Sequence, residues 1–136
     1  MPVDDATTAL RVFLVEDGKQ TRKVMAALLS TIGEFQVVGS AGTEAEANLW
    51  LKENADLWDL AIVDLVLEEG TGLGVLPRTR GRAPGSRVVV FSDFVSPGTR
   101  NHCVALGADA VFHKSSELPA FIQYCSNLAR EPHGQT

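Results

Sequence analysis

Five short apolar runs recur along the chain, Val12–Val15, Phe35–Val38, Leu60–Val63, Val88–Phe91 and Ala110–Phe112, and no other feature limits the fold so tightly. Each has the length of a strand. The first, third and fourth lack strict alternation of apolar and polar residues, as strands do when helices cover both of their faces, so these three are expected at the centre of a parallel sheet. Between the runs the apolar spacing becomes helical, as in Val24, Leu28 and Ile32, in Ala47, Trp50 and Leu51, and most clearly in Leu118, Phe121, Ile122, Cys125 and Leu128. Gly33, Gly70 and Gly107 mark helix ends or turns, while Pro97 and Pro119 suit the first turns of the helices they introduce. Five βα units of this kind predict a doubly wound α/β domain, because right-handed crossovers place helices on both sheet faces.

A chain of 136 residues with 45% hydrophobic content can bury one core and has no room for a second domain beside it. The reading is a tail over residues 1–9, one domain over residues 10–130, and a polar tail over residues 131–136 that carries Pro132 and Gly134. The net charge of −5 and the lack of any Lys/Arg cluster argue against nucleic acid or a membrane surface as partner. No apolar run approaches the roughly 20 residues that span a bilayer, and no leader pattern opens the chain, so a cytoplasmic protein is expected. Cys103 and Cys125 both fall in helical segments, where a thiol usually serves as a small buried hydrophobe.

In a doubly wound sheet, ligands bind beyond the carboxyl ends of the strands, so the residues that close each apolar run carry the functional information. Glu16 and Asp17 close the first run, Asp64 the third and Ser92 the fourth, and Lys114 lies just beyond the fifth. With strand order 2-1-3-4-5 and neighbouring strands about 4.8 Å apart, the three carboxylates are expected to share one pocket. Two ionised carboxylates about 5 Å apart repel by about 3 kcal/mol at an effective dielectric near 20, so a cation must compensate. An oxygen-only site with room for water suits Mg²⁺, and Lys114 adds a second positive charge. Taken singly, each residue has a blander explanation: Asp17 or Asp64 as a helix N-cap, Ser92 or Lys114 as a solvated loop residue. Four strand ends supplying acid, acid, hydroxyl and amine together make a site.

The motifs VEDG (Val15–Gly18), VDLVLEEGTGL (Val63–Leu73), VVVFSD (Val88–Asp93) and GADAVFHKSSE (Gly107–Glu117) resemble the response-regulator receiver family of two-component signal transduction, over about Leu10 to Arg130. The resemblance implies a flavodoxin-like five-stranded fold and a single-domain phosphoacceptor switch in a two-component or phosphorelay pathway. It implies Asp64 as the phosphoacceptor, Ser92 and Lys114 as partners of the phosphoryl oxygens, and Mg²⁺, or Mn²⁺ in its place, held by Asp17, Asp64 and the backbone carbonyl of Val66, with Glu16 completing the acidic pocket. Gly72 matches the small residue that opens the helix after the acceptor loop. The implied donor is a histidine kinase or a histidine phosphotransfer protein. The implied output is a partner protein or a second copy bound through the fourth helix, fifth strand and fifth helix, here Asn101–Leu106 and Glu117–Leu128. Such a chain assists its own phosphorylation and dephosphorylation and is otherwise not an enzyme.

Four positions depart from the family pattern. Ser115 follows Lys114 where a proline with a cis bond is usual, and Val111 stands at the position of an aromatic switch residue, with Phe112 facing the opposite way. Glu68 replaces a frequent proline. Asp93 follows the hydroxyl where a small residue is usual, which either weakens retention of the phosphoryl group or orients Lys114. Two other readings are weighed: a receiver-type interaction module that works without phosphorylation, and a dehalogenase-type phosphatase. The latter needs a titratable acid two residues after the nucleophile, where this chain has Val66. His102, His113 and His133 show no metal-ligand spacing.

Overall fold

The structure, a computed structural model, describes residues 9–131, so the tails read at 1–9 and 131–136 lie almost entirely outside the described residues. The elements follow in the order β1 (Leu10–Val15), α1 (Lys19–Ile32), β2 (Phe35–Ala41), α2 (Glu44–Glu53), β3 (Leu60–Val63), two short 3-10 turns (Gly72–Gly74 and Leu76–Thr79), β4 (Arg87–Ser92), α3 (Pro97–Ala105), β5 (Ala110–His113) and α4 (Leu118–Arg130). All strands pair in parallel in the order β2-β1-β3-β4-β5. The flavodoxin-like doubly wound sheet is the one expected. β1, β3 and β4 are central and buried almost throughout, whereas β2 alternates between half-buried and exposed residues, as an edge strand with one wet face does.

Side-chain direction sorts the core into two layers. Phe13, Val15, Ala61, Val63, Val88, Val90 and Val111 point to the face covered by α2, the 3-10 turns and α3. Val12, Leu14, Leu60, Ile62, Val89 and Phe91 point to the face covered by α1 and α4, where Phe91 stacks on Phe121 at 4.2 Å. Neighbours in sequence enter opposite layers because the strand period is two. Cys103 and Cys125 are buried one in each layer, and burial pushes the Cys125 thiol up to about 12. On the outer strand the pairing register shifts between Val12 and Phe13, leaving Val38 without a partner on β1. The next residue, Gly39, lies against the indole of Trp50: a Cβ there would come within 2.5 Å of its Nε1. That close approach lets Trp50 stack on Phe13 with ring centroids 4.0 Å apart.

One expectation is corrected. The third crossover does not carry an α-helix, only the two 3-10 turns. Residues 70–86 hold Gly70, Gly72, Gly74, Pro77, Gly81, Pro84 and Gly85, a composition whose backbone entropy and missing donors disfavour a continuous helix. Arg82 supplies the cross-links that a helix would have made by packing. Its guanidinium donates to the carbonyls of Thr79, Ser86 and Gly107 at 3.2 Å each and pairs with Asp109 at 3.1 Å. Asp109 in turn accepts the Val88 N–H at 2.7 Å, so the crossover is tied to the starts of β4 and β5. Arg82→Met is expected to destabilise the domain by about 1–2 kcal/mol, since half-buried carbonyls lose a donor. Urea denaturation measures this, and an unchanged midpoint would contradict the assignment.

Candidate functional site

The parallel ladder continues one residue past the ends of three strands. The Glu16 N–H donates to the Ala41 carbonyl, that of Asp64 to Val15, and that of Lys114 to Ser92, at 2.9, 2.9 and 3.0 Å. Backbone pairing thus fixes where these side chains start before any side-chain contact forms. Asp64 is 9% exposed and Ser92 is fully buried. The Lys114 ammonium, coming from the far edge of the sheet, lies 2.8 Å from Glu16 Oε1 and 2.9 Å from Asp64 Oδ2. A single cation therefore bridges β5 to the ends of both β1 and β3.

Local contacts orient the acids further. Asp64 Oδ1 accepts the Val66 N–H at 3.2 Å, and Glu16 Oε2 accepts the Gly18 N–H at 3.1 Å. Arg22, from the first turns of α1, donates to the Glu16 carbonyl at 2.6 Å. The N-cap explanation fails for Asp17, because α1 is capped by Gly18 with no side-chain bond. Gly72 sits so close to the acceptor loop that a Cβ would fall 2.2 Å from the Asp64 carbonyl oxygen. It opens a 3-10 turn, not the expected α-helix. Gly70, with φ of +79°, and Gly74 leave space for the Glu44 side chain, whose Oε1 accepts the Thr71 N–H at 2.9 Å.

The two carboxylates do not titrate alike. Burial would raise Asp64, but hydrogen bonds from Lys114 and the Ser92 hydroxyl outweigh it, with the Lys114 charge and the Val66 N–H assisting, and hold the group below the usual aspartate range. Glu16 moves the other way, because its burial, with some repulsion from Asp64, exceeds what Lys114 and the Gly18 N–H return. Burial alone would lower Lys114; the hydrogen bonds to Glu16 and Asp64 raise it, so it stays a cation. When two acids share one ammonium, the ionised form is secured at Asp64.

Asp17 stands apart. Its carboxylate is exposed at the rim, with no hydrogen bond or ion pair among the described residues. No three His, Cys, Asp or Glu side chains among the described residues converge into a ready-made metal cage. The acids at the ends of the paired strands β1 and β3 are one open carboxylate, Asp17, and two anchored on Lys114, Glu16 and Asp64. That donor set fits a divalent ion that retains most of its water, as Mg²⁺ does, better than an ion that needs a full shell of protein ligands.

The sequence matches the family model of the response regulator receiver domain over residues 12–126. The chain belongs to that family. Two curated relatives are similar to it in part: the DNA-binding transcriptional activator DevR/DosR of Mycobacterium tuberculosis, 30% identical over 73% of this chain and 45% of its own length, and protein-glutamate methylesterase/protein-glutamine glutaminase 5 of Myxococcus xanthus, 38% identical over 61% of this chain and 23% of its own. The chain spans less than half the length of each. Among solved structures, the CheX-CheY-BeF3-Mg²⁺ complex of Borrelia burgdorferi contains a chain of the same fold, with a TM-score of 0.77 at 18% identity and 90% coverage of both chains.

As a receiver, the chain departs from its family on the face made by α3, β5 and α4. Val111 is buried against the α3 layer, while Phe112 turns to the other layer, edge-on to Phe121 and Tyr124 at 6.0 and 5.7 Å. Sequence reasoning separated these two correctly but missed what lies across the Val111 backbone. Arg100 of α3 donates to the Val111 carbonyl and to Glu117 Oε1, the latter at 2.7 Å, and Glu117 Oε1 also accepts the His113 N–H at 2.8 Å. No local motif announces this bracket, since its residues come from three elements. Val66 and Phe94, each two residues past a strand-end group (Asp64 and Ser92), stand 46% and 65% exposed. In metal-free protein, ¹³C NMR titration is expected to find the Asp64 carboxyl below, and the Glu16 carboxyl above, their ordinary values. The stability carried by the ionised Asp64 is then present above its unfolded value and is lost only as pH falls through the depressed one. The opposite order of the two titrations would refute the shared-ammonium account.

Proposed function

We propose that this receiver accepts a phosphoryl group on Asp64 from a histidine kinase or a histidine phosphotransfer protein, and that the modification switches a partner-binding face. The observation that carries the reading is the Lys114 ammonium, 2.9 Å from a carboxylate held ionised at the end of a central strand. Phosphoryl transfer asks a protein for positioning and charge neutralisation more than for an activated nucleophile. An Asp64 oxygen bonds to phosphorus as the bond from phosphorus to the donor nitrogen breaks; the electron pair leaves with the donor imidazole, which takes up a proton. The phospho-form is discharged when water attacks phosphorus and the bond from phosphorus to Asp64 breaks, releasing inorganic phosphate and restoring the carboxylate. Both steps belong to a switch, which is the sense in which the chain assists its own modification.

Asp17, Asp64 and the Val66 carbonyl would hold Mg²⁺, or Mn²⁺ in its place, with Glu16 completing the acidic pocket. Bound there, the ion would neutralise charge on the transferring phosphoryl group. The protein's own groups do the rest. Ser92, buried at the end of β4, and Lys114, just past β5, would bond two phosphoryl oxygens; their position at adjacent strand ends supports this. The added charge draws the ammonium from its present position between Glu16 and Asp64, and the loops that follow β4 and β5 move with their side chains. The output surface is the α3–β5–α4 face, offered in the cytoplasm to a downstream protein or to a second copy. A dehalogenase-type phosphatase is not supported, because the residue two past Asp64 is a half-exposed valine with no proton to give.

The test is intact-mass analysis of the purified chain after incubation with Mg²⁺ and acetyl phosphate. Wild type is expected to gain the mass of one phosphoryl group in an acid-labile form, and Asp64→Asn to gain none. An unmodified wild type, or equal labelling of Asp64→Asn, would overturn the proposal.

A further inference from the structure

Past β5 the chain must direct Lys114 across two strands toward β1 and β3 while its own backbone leaves the sheet. The Lys114 N–H is paired to the Ser92 carbonyl, but the N–H groups of Ser115 and Ser116 have neither strand nor helix to bond to, because α4 starts at Leu118. Two side chains take them. Asp93 Oδ1 accepts the Ser115 hydroxyl at 2.6 Å and the Ser115 N–H at 3.1 Å. His113 Nδ1 lies 3.2 and 3.3 Å from the N–H groups of Ser115 and Ser116, and 3.8 Å from Asp93 Oδ1. The Asp93 carboxylate thus faces the residue after the lysine, whereas the Lys114 ammonium pairs with Glu16 and Asp64.

Ser115 and Asp93 are two of the four departures from the family pattern, and they touch each other. A proline at 115 would supply neither the N–H nor the hydroxyl that Asp93 holds, and a small residue at 93 would leave both donors to solvent. All peptide bonds among the described residues, Lys114–Ser115 included, are trans. The loop's path is therefore set here by hydrogen bonds where a ring would otherwise set it.

We infer that Asp93 is a positioning residue for the phosphoryl-accepting site, acting through Ser115 to join the ends of β4 and β5 and so aim Lys114 at Asp64. The inference rests on the reading of Asp64 as phosphoacceptor. Of the two roles the sequence leaves open for Asp93, it selects orientation over electrostatic weakening of phosphate retention. The hydroxyl-to-carboxylate bond is short at 2.6 Å, and it joins the loops that follow β4 and β5, at whose ends Ser92 and Lys114 stand. The requirement is for an acceptor oxygen at this point and not for a net charge.

The experiment compares initial rates of Asp64 labelling by acetyl phosphate and Mg²⁺, by intact mass of the full chain, in wild type, Asp93→Ala, Ser115→Ala, the double variant and Asp93→Asn. Asp93→Ala and Ser115→Ala are each expected to slow labelling about fivefold, the equivalent of about one hydrogen bond. The double variant should be no slower than the slower single, since both remove the same contact. Asp93→Asn keeps the acceptor oxygen and should restore most of the rate, with thermal midpoints alike throughout. Additive losses, unchanged single variants, or an Asp93→Asn as slow as Asp93→Ala would overturn the inference while leaving Asp64 as acceptor. A wild type that takes no label would overturn both.

Discussion

The structure turns on one ammonium between two carboxylates. Without a cation, the ends of β1 and β3 would set Glu16 and Asp64 side by side at the edge of a low-dielectric core, where like charges repel most. Lys114 meets both at hydrogen-bond distance, and it arrives from β5, the strand farthest from β1 among those that contribute to the site. The interaction therefore demands the whole sheet: a correct strand order, a ladder that runs one residue beyond each strand, and a loop after β5 that sends the side chain back across Ser92. Fold and site are specified together, since a register error in any central strand would separate the three groups.

That dependence also explains where the chain spends unusual residues. Gly72 is required because the acceptor loop returns against the Asp64 carbonyl with no space for a Cβ, and Gly70 and Gly74 admit Glu44 for the same reason. The glycines that hold the acceptor loop in place also weaken the helix that should follow it, leaving 3-10 turns and placing the burden of support on Arg82. On the opposite side of the site, the Arg100–Glu117 bracket reaches across Val111 where an aromatic residue is usual. The α3–β5–α4 face is joined by a polar clasp, so its response to a change at Lys114 is expected to pass through hydrogen bonds more than through ring rotation.

Much of this was legible in the residues themselves. The central, buried character of β1, β3 and β4 followed from their unbroken apolar runs, whereas the alternating burial of β2 is seen only in the structure. Asp64, Ser92 and Lys114 were identifiable because each polar residue interrupts or follows such a run at the edge where ligands bind. The missing third helix was less visible, because apolar residues such as Leu73 and Leu76 continue a helical spacing through a stretch whose glycines and prolines oppose it. The direct grip of Glu16 on Lys114 was not legible at all: it spans 98 positions of sequence and depends on where the end of a long side chain comes to rest. Asp17 is the reverse case, an acid expected inside the pocket that the structure leaves open at its rim.

The placement of Lys114 is open to direct measurement by ¹H–¹⁵N NMR of the lysine ammonium groups. The account predicts one ammonium resonance protected from exchange, absent in Lys114→Met, deprotected in the Glu16→Gln, Asp64→Asn double variant, and shifted when the chain is phosphorylated. A Lys114 ammonium that exchanges as freely as an exposed lysine in the wild-type protein would contradict it.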